Sequence, residues 1–437
     1  MPYDIVVGRN ESDKKLFGKR GLIFLGKTYV TMGPYTSLSN PVYMDVARSH
    51  VVLISGKRGS GKSYTLGGMA EAISSLDYED AQNISSLIFD TMGIFWTMKF
   101  KNHKDKQLLG EWGLEAKTIP LKVYVPFGYF NEFHDKGIPV DKEFAIKISD
   151  LGAEDWVSLF QLSFTQPEAV AIETAVSVLS KKDSFGFKEI KDFISNEKDV
   201  SQDVKSSVIA LFGAAESWGV FDEEKGTPIK ELVVGGQTCV IDLSMYSSFG
   251  NFNVRALIIG LVSKKLFKER MSERRNEEIQ SVQHGYDYLS FSMKREMPLV
   301  WIFIDEAHEF LPKQEDGKTP ASDALIQLLR EGRQPGISLV LATQQPGKIH
   351  TDAMTQSDIV LSHRVTAEQD VSALNKIMQT YLYEGIKDKM NALPRQKGSA
   401  IILDDNSERI YPIRIRPRFT WHGGEAPMAV KTTEEDK

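Results

Sequence analysis

The sequence predicts an α/β fold with a mostly parallel sheet, because short apolar runs alternate with longer stretches of helical periodicity. Between about residues 150 and 235 the apolar residues recur at helical spacing without strand-like runs, which indicates a helical insertion. Two strand-like runs near the start, 21–25 and 28–31, indicate a short N-terminal β region. The strands predicted for the sheet are 51–55, 86–90, 121–125, 239–243, 299–304, 338–342, 359–362 and 399–403.

The composition is that of a large, slightly acidic globular chain. Its 437 residues are 41% apolar and 26% charged, and the net charge of −6 argues against a surface coated with basic residues for nucleic acid. A ring or channel can still concentrate positive charge locally. The sole cysteine, Cys239, lies in an apolar run and fits a reducing compartment. No apolar run approaches the length of a membrane span, so we expect a cytoplasmic protein without membrane contact.

The first chemical motif is a glycine-rich loop, Gly56–Ser63, directly after the apolar run 51–55 and before a helical pattern that reaches residue 73. This is the strand–loop–helix setting of a P-loop, in which backbone N–H groups surround phosphate oxygens. Lys62 would reach the β- and γ-phosphates, and the Ser63 hydroxyl would hold Mg²⁺. The alternative is an ordinary glycine-rich turn. The residues predicted to bind ATP are Gly56, Arg58, Gly59, Ser60, Gly61, Lys62, Ser63 and Tyr64.

A second motif places two carboxylates, Asp305 and Glu306, at the end of the buried run 299–304. This is a Walker B arrangement, in which Asp305 shares the Mg²⁺ with Ser63 while Glu306 orients the attacking water. The run 338–342 likewise leads to an amide, Gln344, at the position that senses the γ-phosphate. The alternative is that Asp305 and Glu306 are ordinary solvated turn residues and that Gln344 caps the end of its strand.

A helix predicted over 326–332 carries Arg330 and Arg333 at its end. Arginines there complement the helix dipole, but a planar, permanently charged guanidinium also suits the transition-state charge on a γ-phosphoryl group. We therefore predict that one of the two acts as an arginine finger in a neighbouring subunit. The charge-dense stretch 268–296 is predicted as a solvated helix and loop.

These motifs resemble those of HerA-type ATPases of the HerA/FtsK group of P-loop DNA translocases. The resemblance spans about residues 40–424 and rests on the segments 56–63, 89–93, 304–310, 330–333, 342–346, 393–398 and 422–424. Two departures stand out. Gly93 is followed by Ile94, where the family usually has an acidic residue, and only about fifty residues precede the P-loop, too few for the family's fuller β-barrel.

The resemblance implies a RecA-like motor domain that assembles into a homo-hexamer and threads double-stranded DNA. It also implies a partner, a nuclease or another effector, as in antiphage defence pairs. On this basis 1–45 is predicted as a reduced, barrel-like β region, 46–424 as the ATPase domain with its insertion at about 150–235, and 425–437 as a flexible tail.

Two other functions compete with a motor. Asp305-Glu306-Ala307-His308 matches a DEAH-box motif, but those helicases need a second RecA-like domain, and the ninety-odd residues after Gln345 lack its Gln-x-x-Gly-Arg-x-Gly-Arg element. His308 is then a helix-start residue beneath the site. In the other alternative, ATP only gates the assembly of an effector complex. The candidate residues for contact with DNA are Lys99, Lys101, Lys104 and Lys106. The alternative is that these lysines belong to an ordinary solvated loop.

Overall fold

One extended sheet organises the chain in the computed structural model, which describes residues 3–32, 35–182, 184–248, 253–365, 368–378, 386–425 and 429. Apart from Glu425 and Ala429, the predicted tail 425–437 lies outside these residues. The strands are β1 Ile5–Val7, β2 Leu22–Met32, β3 Tyr35–Asp45, β4 Val51–Ser55, β5 Ile84–Asp90, β6 Leu121–Pro126, β7 Lys142–Phe144, β8 Ile146–Lys147, β9 Phe221–Asp222, β10 Thr238–Asp242, β11 Leu299–Ile304, β12 Ile337–Thr343, β13 Ile359–His363, β14 Ser399–Asp404 and β15 Arg409–Ile415.

Helices connect most of the strands. The α-helices are α1 Glu11–Phe17, α2 Lys62–Ile73, α3 Tyr78–Ala81, α4 Lys106–Glu111, α5 Phe130–Asp135, α6 Ala153–Leu159, α7 Pro167–Leu179, α8 Phe187–Asn196, α9 Gln202–Glu216, α10 Ile229–Leu232, α11 Val254–His284, α12 Tyr288–Phe291, α13 Ser322–Glu331, α14 Thr351–Thr355, α15 Glu368–Met378 and α16 Ile386–Ala392. Short 3₁₀ helices span Phe95–Lys99, Phe127–Tyr129, Ile148–Asp150, Ser244–Ser248, Ala307–Glu309 and Gln314–Asp316. In the described part of the chain, no helix is both long and apolar enough to cross a membrane.

Within the described residues the main sheet has thirteen strands in the order β1-β3-β2-β15-β14-β13-β4-β12-β11-β5-β10-β6-β7. From β13 to β7 every neighbouring pair is parallel, whereas β13-β14, β14-β15, β15-β2 and β2-β3 are antiparallel. The predicted α/β fold with a mostly parallel sheet is confirmed. Because parallel strands end at the same edge, the segments that follow β4, β5, β10, β11 and β12 gather at one carboxyl edge.

The N-terminal strands extend this sheet. β2 and β3 pair with each other, and β2 continues the sheet through β15, where Thr28 lies opposite Ile413. The two predicted runs at 21–25 and 28–31 belong to the single strand β2, which begins one residue later, at Leu22. The division into a barrel-like region and an ATPase domain stays a prediction.

Apolar side chains cover both faces of the sheet. On β11, for example, Ile302 and Ile304 point into one core cluster, while Trp301 and Phe303 point into the other. The first cluster continues into helices α6–α9, where the buried Trp156 packs against Phe212 with ring centroids 5.0 Å apart. The second cluster includes the apolar side of α2. The sheet is therefore a buried scaffold that fixes the positions of the residues at its carboxyl edge.

Candidate nucleotide-binding site

The P-loop leaves the sheet at the end of β4, whose residues are all buried, and leads into α2. Gly61 precedes the helix with φ 111°, a conformation that side-chain-bearing residues rarely adopt. A Cβ on Gly56 would lie 2.7 Å from the Cβ of His363, so the loop also passes too close to β13 for a side chain. Within the described residues, the buried Ser60 hydroxyl has no hydrogen-bond partner. The conformation of the loop therefore requires glycine at both positions, as expected for a P-loop.

The two residues that begin α2 face the carboxylates that follow β11. The Ser63 hydroxyl donates a hydrogen bond to Asp305 Oδ2 at 2.5 Å. Lys62 is only 5% exposed, and burial lowers the pKa of its ammonium group while the nearby Glu306 and Asp305 charges raise it. Burial raises the pKa of Asp305, and the Ser63 hydrogen bond counters that effect. The structure therefore brings together the residues of the two predicted motifs.

Glu306 is held in a defined position beside them. Its backbone has φ 50°, which is uncommon for a residue other than glycine. Gln344 Nε2 donates a hydrogen bond to Glu306 Oε1, whereas Glu306 Oε2 is buried without a hydrogen-bond partner among the described residues. His308 Nδ1 lies 3.6 Å from that oxygen and hydrogen-bonds the Thr343 hydroxyl at 3.1 Å. The geometry leaves one carboxylate oxygen of Glu306 without a hydrogen bond within the described residues.

His363 lies against the P-loop and was not among the residues predicted for the site. It is fully buried at the end of β13, where Nε2 hydrogen-bonds the Thr65 hydroxyl of α2 at 2.9 Å and Nδ1 lies 3.2 Å from the Ser399 carbonyl. Burial lowers the pKa of His363 to about 4, so the imidazole is neutral near pH 7. The signal that pointed to Glu306 also applies here, since His363 directly follows the predicted strand 359–362 at the same edge.

The predicted arginine fingers lie far from these residues in the same chain. Arg330 and Arg333 precede the start of β12, whereas Gln344 follows its end, and a seven-residue strand spans about 23 Å. Their side chains are 60% and 57% exposed. Arg330 Nε donates to Asp352 Oδ2 at 2.7 Å, and Arg333 Nη2 lies 3.2 Å from Asp358 Oδ2. Neither arginine reaches the P-loop of its own chain.

The loop that carries Arg333 is fixed by a buried arginine. Arg270 Nε donates to the Pro335 carbonyl at 2.8 Å, and its Nη1 lies 3.3 Å from Glu277 Oε1. Both side chains are buried, so the stretch 268–296 is not the fully solvated helix that its charge density predicted. The reason is that the two opposite charges pair on the inner side of α11.

The motif after β5 shapes a turn. Asp90 accepts hydrogen bonds from the backbone N–H groups of Gly93 at 2.8 Å and Phe95 at 2.6 Å. Burial and the nearby Asp242 carboxylate raise the pKa of Asp90. Ile94, at the position where the family usually has an acidic residue, offers no carboxylate to a nucleotide.

The remaining predicted residues differ in their surroundings. Arg58 is exposed on the P-loop, while the Tyr64 hydroxyl accepts a hydrogen bond from the Arg418 N–H at 2.7 Å. Among the lysines, Lys99 pairs with Asp141 at 2.5 Å and Lys104 pairs with Glu425. Lys101 and Lys106 are exposed. The roles assigned to all these site residues stay predictions.

Comparison with known proteins places these motifs in context. The chain is 26% identical over 139 residues to a probable DNA double-strand break repair helicase HerA of Methanocaldococcus jannaschii, a match that covers 30% of this chain and 27% of the relative. It is 25% identical over 178 residues to the DNA double-strand break repair helicase HerA of Pyrococcus furiosus, which covers 38% of this chain and 31% of the relative. The chain thus matches less than a third of the length of either protein. No family model matches the sequence.

A solved structure, VirB4 of Thermoanaerobacter pseudethanolicus, superimposes with a TM-score of 0.51 at 13% identity, over 90% of this chain and 96% of VirB4. That likeness concerns the fold. The resemblance predicted from the P-loop, the Asp305-Glu306 motif and the residues around them is confirmed: part of the sequence is similar to HerA, and the chain has the α/β fold of VirB4.

Proposed function

We propose that this protein hydrolyses ATP and couples the reaction to movement along, or grip on, double-stranded DNA. The observation that carries the proposal is the pair of contacts at the carboxyl edge, Ser63 with Asp305 and Gln344 with Glu306. Residues from three distant segments of the sequence meet at the P-loop, each with the chemistry that phosphoryl transfer requires.

The donor set fits Mg²⁺. Ser63 and Asp305 offer a hydroxyl and a carboxylate oxygen, the hard ligands that Mg²⁺ prefers, and their side chains already touch. These two residues would hold the ion together with phosphate oxygens and water. When bound, Mg²⁺ neutralises part of the charge on the β- and γ-phosphates.

The protein side chains supply the rest of the chemistry. Lys62, buried and close to the carboxylates, places a positive charge against the phosphates in a region of low dielectric. Glu306 accepts a hydrogen bond from the attacking water through its unpartnered Oε2 while Gln344 holds its other oxygen. Positioning of this kind accounts for most catalysis in phosphoryl transfer.

A ring is the proposed active form. Arg333 and Arg330 are largely exposed, and strand β12, about 23 Å long, separates them from their own Gln344, as expected for groups that serve the site of a neighbour. We favour Arg333, because Arg270 fixes its loop. Arg364 is the alternative candidate for the arginine finger within the same chain, because it lies beside the P-loop. Its carbonyl accepts a hydrogen bond from the Lys57 N–H. A homo-hexamer is the assembly that the family resemblance implies.

Two pieces of the carboxyl edge support contact with DNA. Lys101 and Lys106 are exposed after β5, and a bridge between Pro312 and Ile349 joins the segments that follow β11 and β12, next to Lys313 and Lys348. These segments begin just after Glu306 and Gln344, so a shift at the nucleotide reaches them directly. Both relatives carry names of DNA repair helicases. A nuclease or other effector partner, as in antiphage defence, belongs to the same proposal.

The test separates nucleotide binding from turnover. We expect Lys62→Ala to weaken ATP binding, and Glu306→Gln to keep binding but lose about 10²–10⁴-fold in turnover, because only the group that orients the water is changed. Glu309→Gln is the matched control, since Glu309 lies three residues away in an ion pair with Arg255. Wild-type turnover in Glu306→Gln would contradict the assignment. Duplex DNA should stimulate the wild-type rate, and its failure to do so would favour the gated scaffold.

A further inference from the structure

The segment 418–422 lies across the first turn of α2, beside the P-loop. The ring of His422 meets that of Tyr64 edge to face, with centroids 5.1 Å apart. Arg418 joins the two residues: its backbone N–H donates to the Tyr64 hydroxyl at 2.7 Å, and its Nη1 lies 3.3 Å from His422 Nδ1. A histidine from the end of the described chain is thus held over the helix that begins the phosphate site.

The hydrogen bonds of His422 define its chemistry. Because a guanidinium can only donate, Nδ1 of His422 is the acceptor, and the neutral imidazole therefore carries its hydrogen on Nε2. Burial, together with the charges of Arg418 and Lys397, lowers the pKa of His422 to about 4. Among the described residues no acceptor is bonded to Nε2. His422 consequently offers an uncharged flat ring and one free N–H.

The direction of a bound nucleotide follows from the P-loop. The Lys62 side chain reaches the β- and γ-phosphates, and the backbone at the start of the helix surrounds the α- and β-phosphates. The ribose and base would then extend past the first turn of α2, on the side where His422 packs against Tyr64. On the other side of this path a Cβ on Gly61 would lie 3.9 Å from Gly398 Cα, which brings the exposed Lys397 to the mouth of the loop.

The support beneath His422 is rigid. Glu71, on α2, accepts hydrogen bonds from the backbone N–H groups of Phe419 at 2.9 Å and Thr420 at 3.0 Å. The Trp421 carbonyl accepts from Thr97 Oγ1 at 3.3 Å. His422 therefore keeps a fixed position relative to the P-loop, as a residue that recognises a ligand must.

We propose that His422, with Lys397 opposite it, forms the subsite for the base and ribose of a purine nucleoside triphosphate. The imidazole packs against the base and donates from Nε2 to a ribose oxygen, and the Lys397 ammonium faces the α-phosphate end. This inference rests on the proposed ATPase function, because it assumes that triphosphate occupies the P-loop.

The experiment compares ATP with inorganic tripolyphosphate, which has the phosphates but no base. Both are titrated with Mg²⁺ by calorimetry into the full chain carrying Glu306→Gln, so that ATP is not consumed. We expect His422→Ala to raise the Kd for ATP about tenfold, the loss of one stacking contact, and to leave the Kd for tripolyphosphate unchanged. His422→Phe, which keeps the ring, should lose less ATP affinity. His284→Ala is the matched control, since that histidine stacks on Phe291 at the far end of α11.

Each other outcome overturns the inference. Equal weakening of both ligands by His422→Ala and His422→Phe would show that His422 only supports the P-loop, and unchanged ATP affinity would show that it does not contact the nucleotide. If the Glu306→Gln chain with His422 intact binds neither ATP nor tripolyphosphate, the proposed ATPase function fails, and the inference fails with it. Unfolding midpoints of the variants, measured in parallel, identify a folding defect. If His422→Ala fails to fold, the comparison is made with His422→Phe instead.

Discussion

Glu71 is the residue whose loss we expect to destabilise the protein most. It is 0% exposed within the P-loop helix and is bonded by Arg416 Nη1 at 2.7 Å, by the backbone of Phe419 and Thr420, and by the Thr420 hydroxyl at 2.5 Å. Arg416 and Arg418 are also buried. Glu71→Ala therefore leaves two guanidinium groups inside the protein without their carboxylate and two backbone N–H groups without an acceptor.

Removing one partner of a buried ion pair costs about 3–5 kcal/mol, and we expect Glu71→Ala to lie in this range. Glu71→Gln keeps one carbonyl acceptor and should lose less. The control is Glu79→Ala: its side chain is 83% exposed and 3.8 Å from Arg20, so the change should stay within about 0.5 kcal/mol. Guanidinium unfolding followed by circular dichroism measures all three at one protein concentration. A Glu71→Ala variant as stable as the Glu79→Ala control would refute the reasoning.

Three further predictions concern assembly, pH and DNA. Mixing Glu306→Gln subunits with Arg333→Ala subunits should restore part of the ATPase activity, because some interfaces in mixed rings then hold an intact Glu306 and an intact Arg333. Full ATPase activity of a monomer, or of an Arg330→Ala, Arg333→Ala double variant, would contradict an arginine finger that acts in a neighbouring subunit. The pKa of His363 is about 4 in the folded protein and 6.5 in the unfolded chain, so the unfolded chain binds the extra proton between these pH values. The free energy of unfolding should therefore be constant above about pH 6.5 and fall by about 3 kcal/mol as the pH drops to 4. His363→Gln should remove that decrease in denaturant unfolding measured across this pH range, and an unchanged pH dependence would contradict the prediction. DNA binding should be indifferent to sequence and weaken about 10³-fold or more between 50 and 200 mM salt in a fluorescence titration, whereas a constant affinity would argue against phosphate contacts.

The carboxyl edge of the sheet was predictable from the sequence because its signals are local. The strand predicted over 299–304 is β11 itself, and the one predicted over 338–342 is β12 short by one residue at each end. Parallel pairing then places Glu306 and Gln344 side by side without any further information. For these residues, a polar side chain directly after a buried strand was enough to predict a position at the carboxyl edge.

Other features were not predictable because they depend on contacts between distant segments. Strands β3 and β15 contain Pro41 and Pro412, and proline argues against a strand in any sequence pattern. Glu71 interrupts an apolar helix and reads as a surface residue, but its main partner, Arg416, is 345 positions away. Arg270 and Glu277 are indistinguishable by composition from the solvated charges around them.

The pairing of β2 with β15 has a consequence for how the protein is made. Residues 26–28 leave the ribosome before their partners at 413–415, which emerge nearly four hundred residues later. Until then the hairpin of β2 and β3 presents an open strand edge, to which another nascent chain can pair. Strand β2 is therefore translated long before the strand that completes its pairing. The emergence of β15 both covers that edge and brings Arg416 to Glu71 on the P-loop helix.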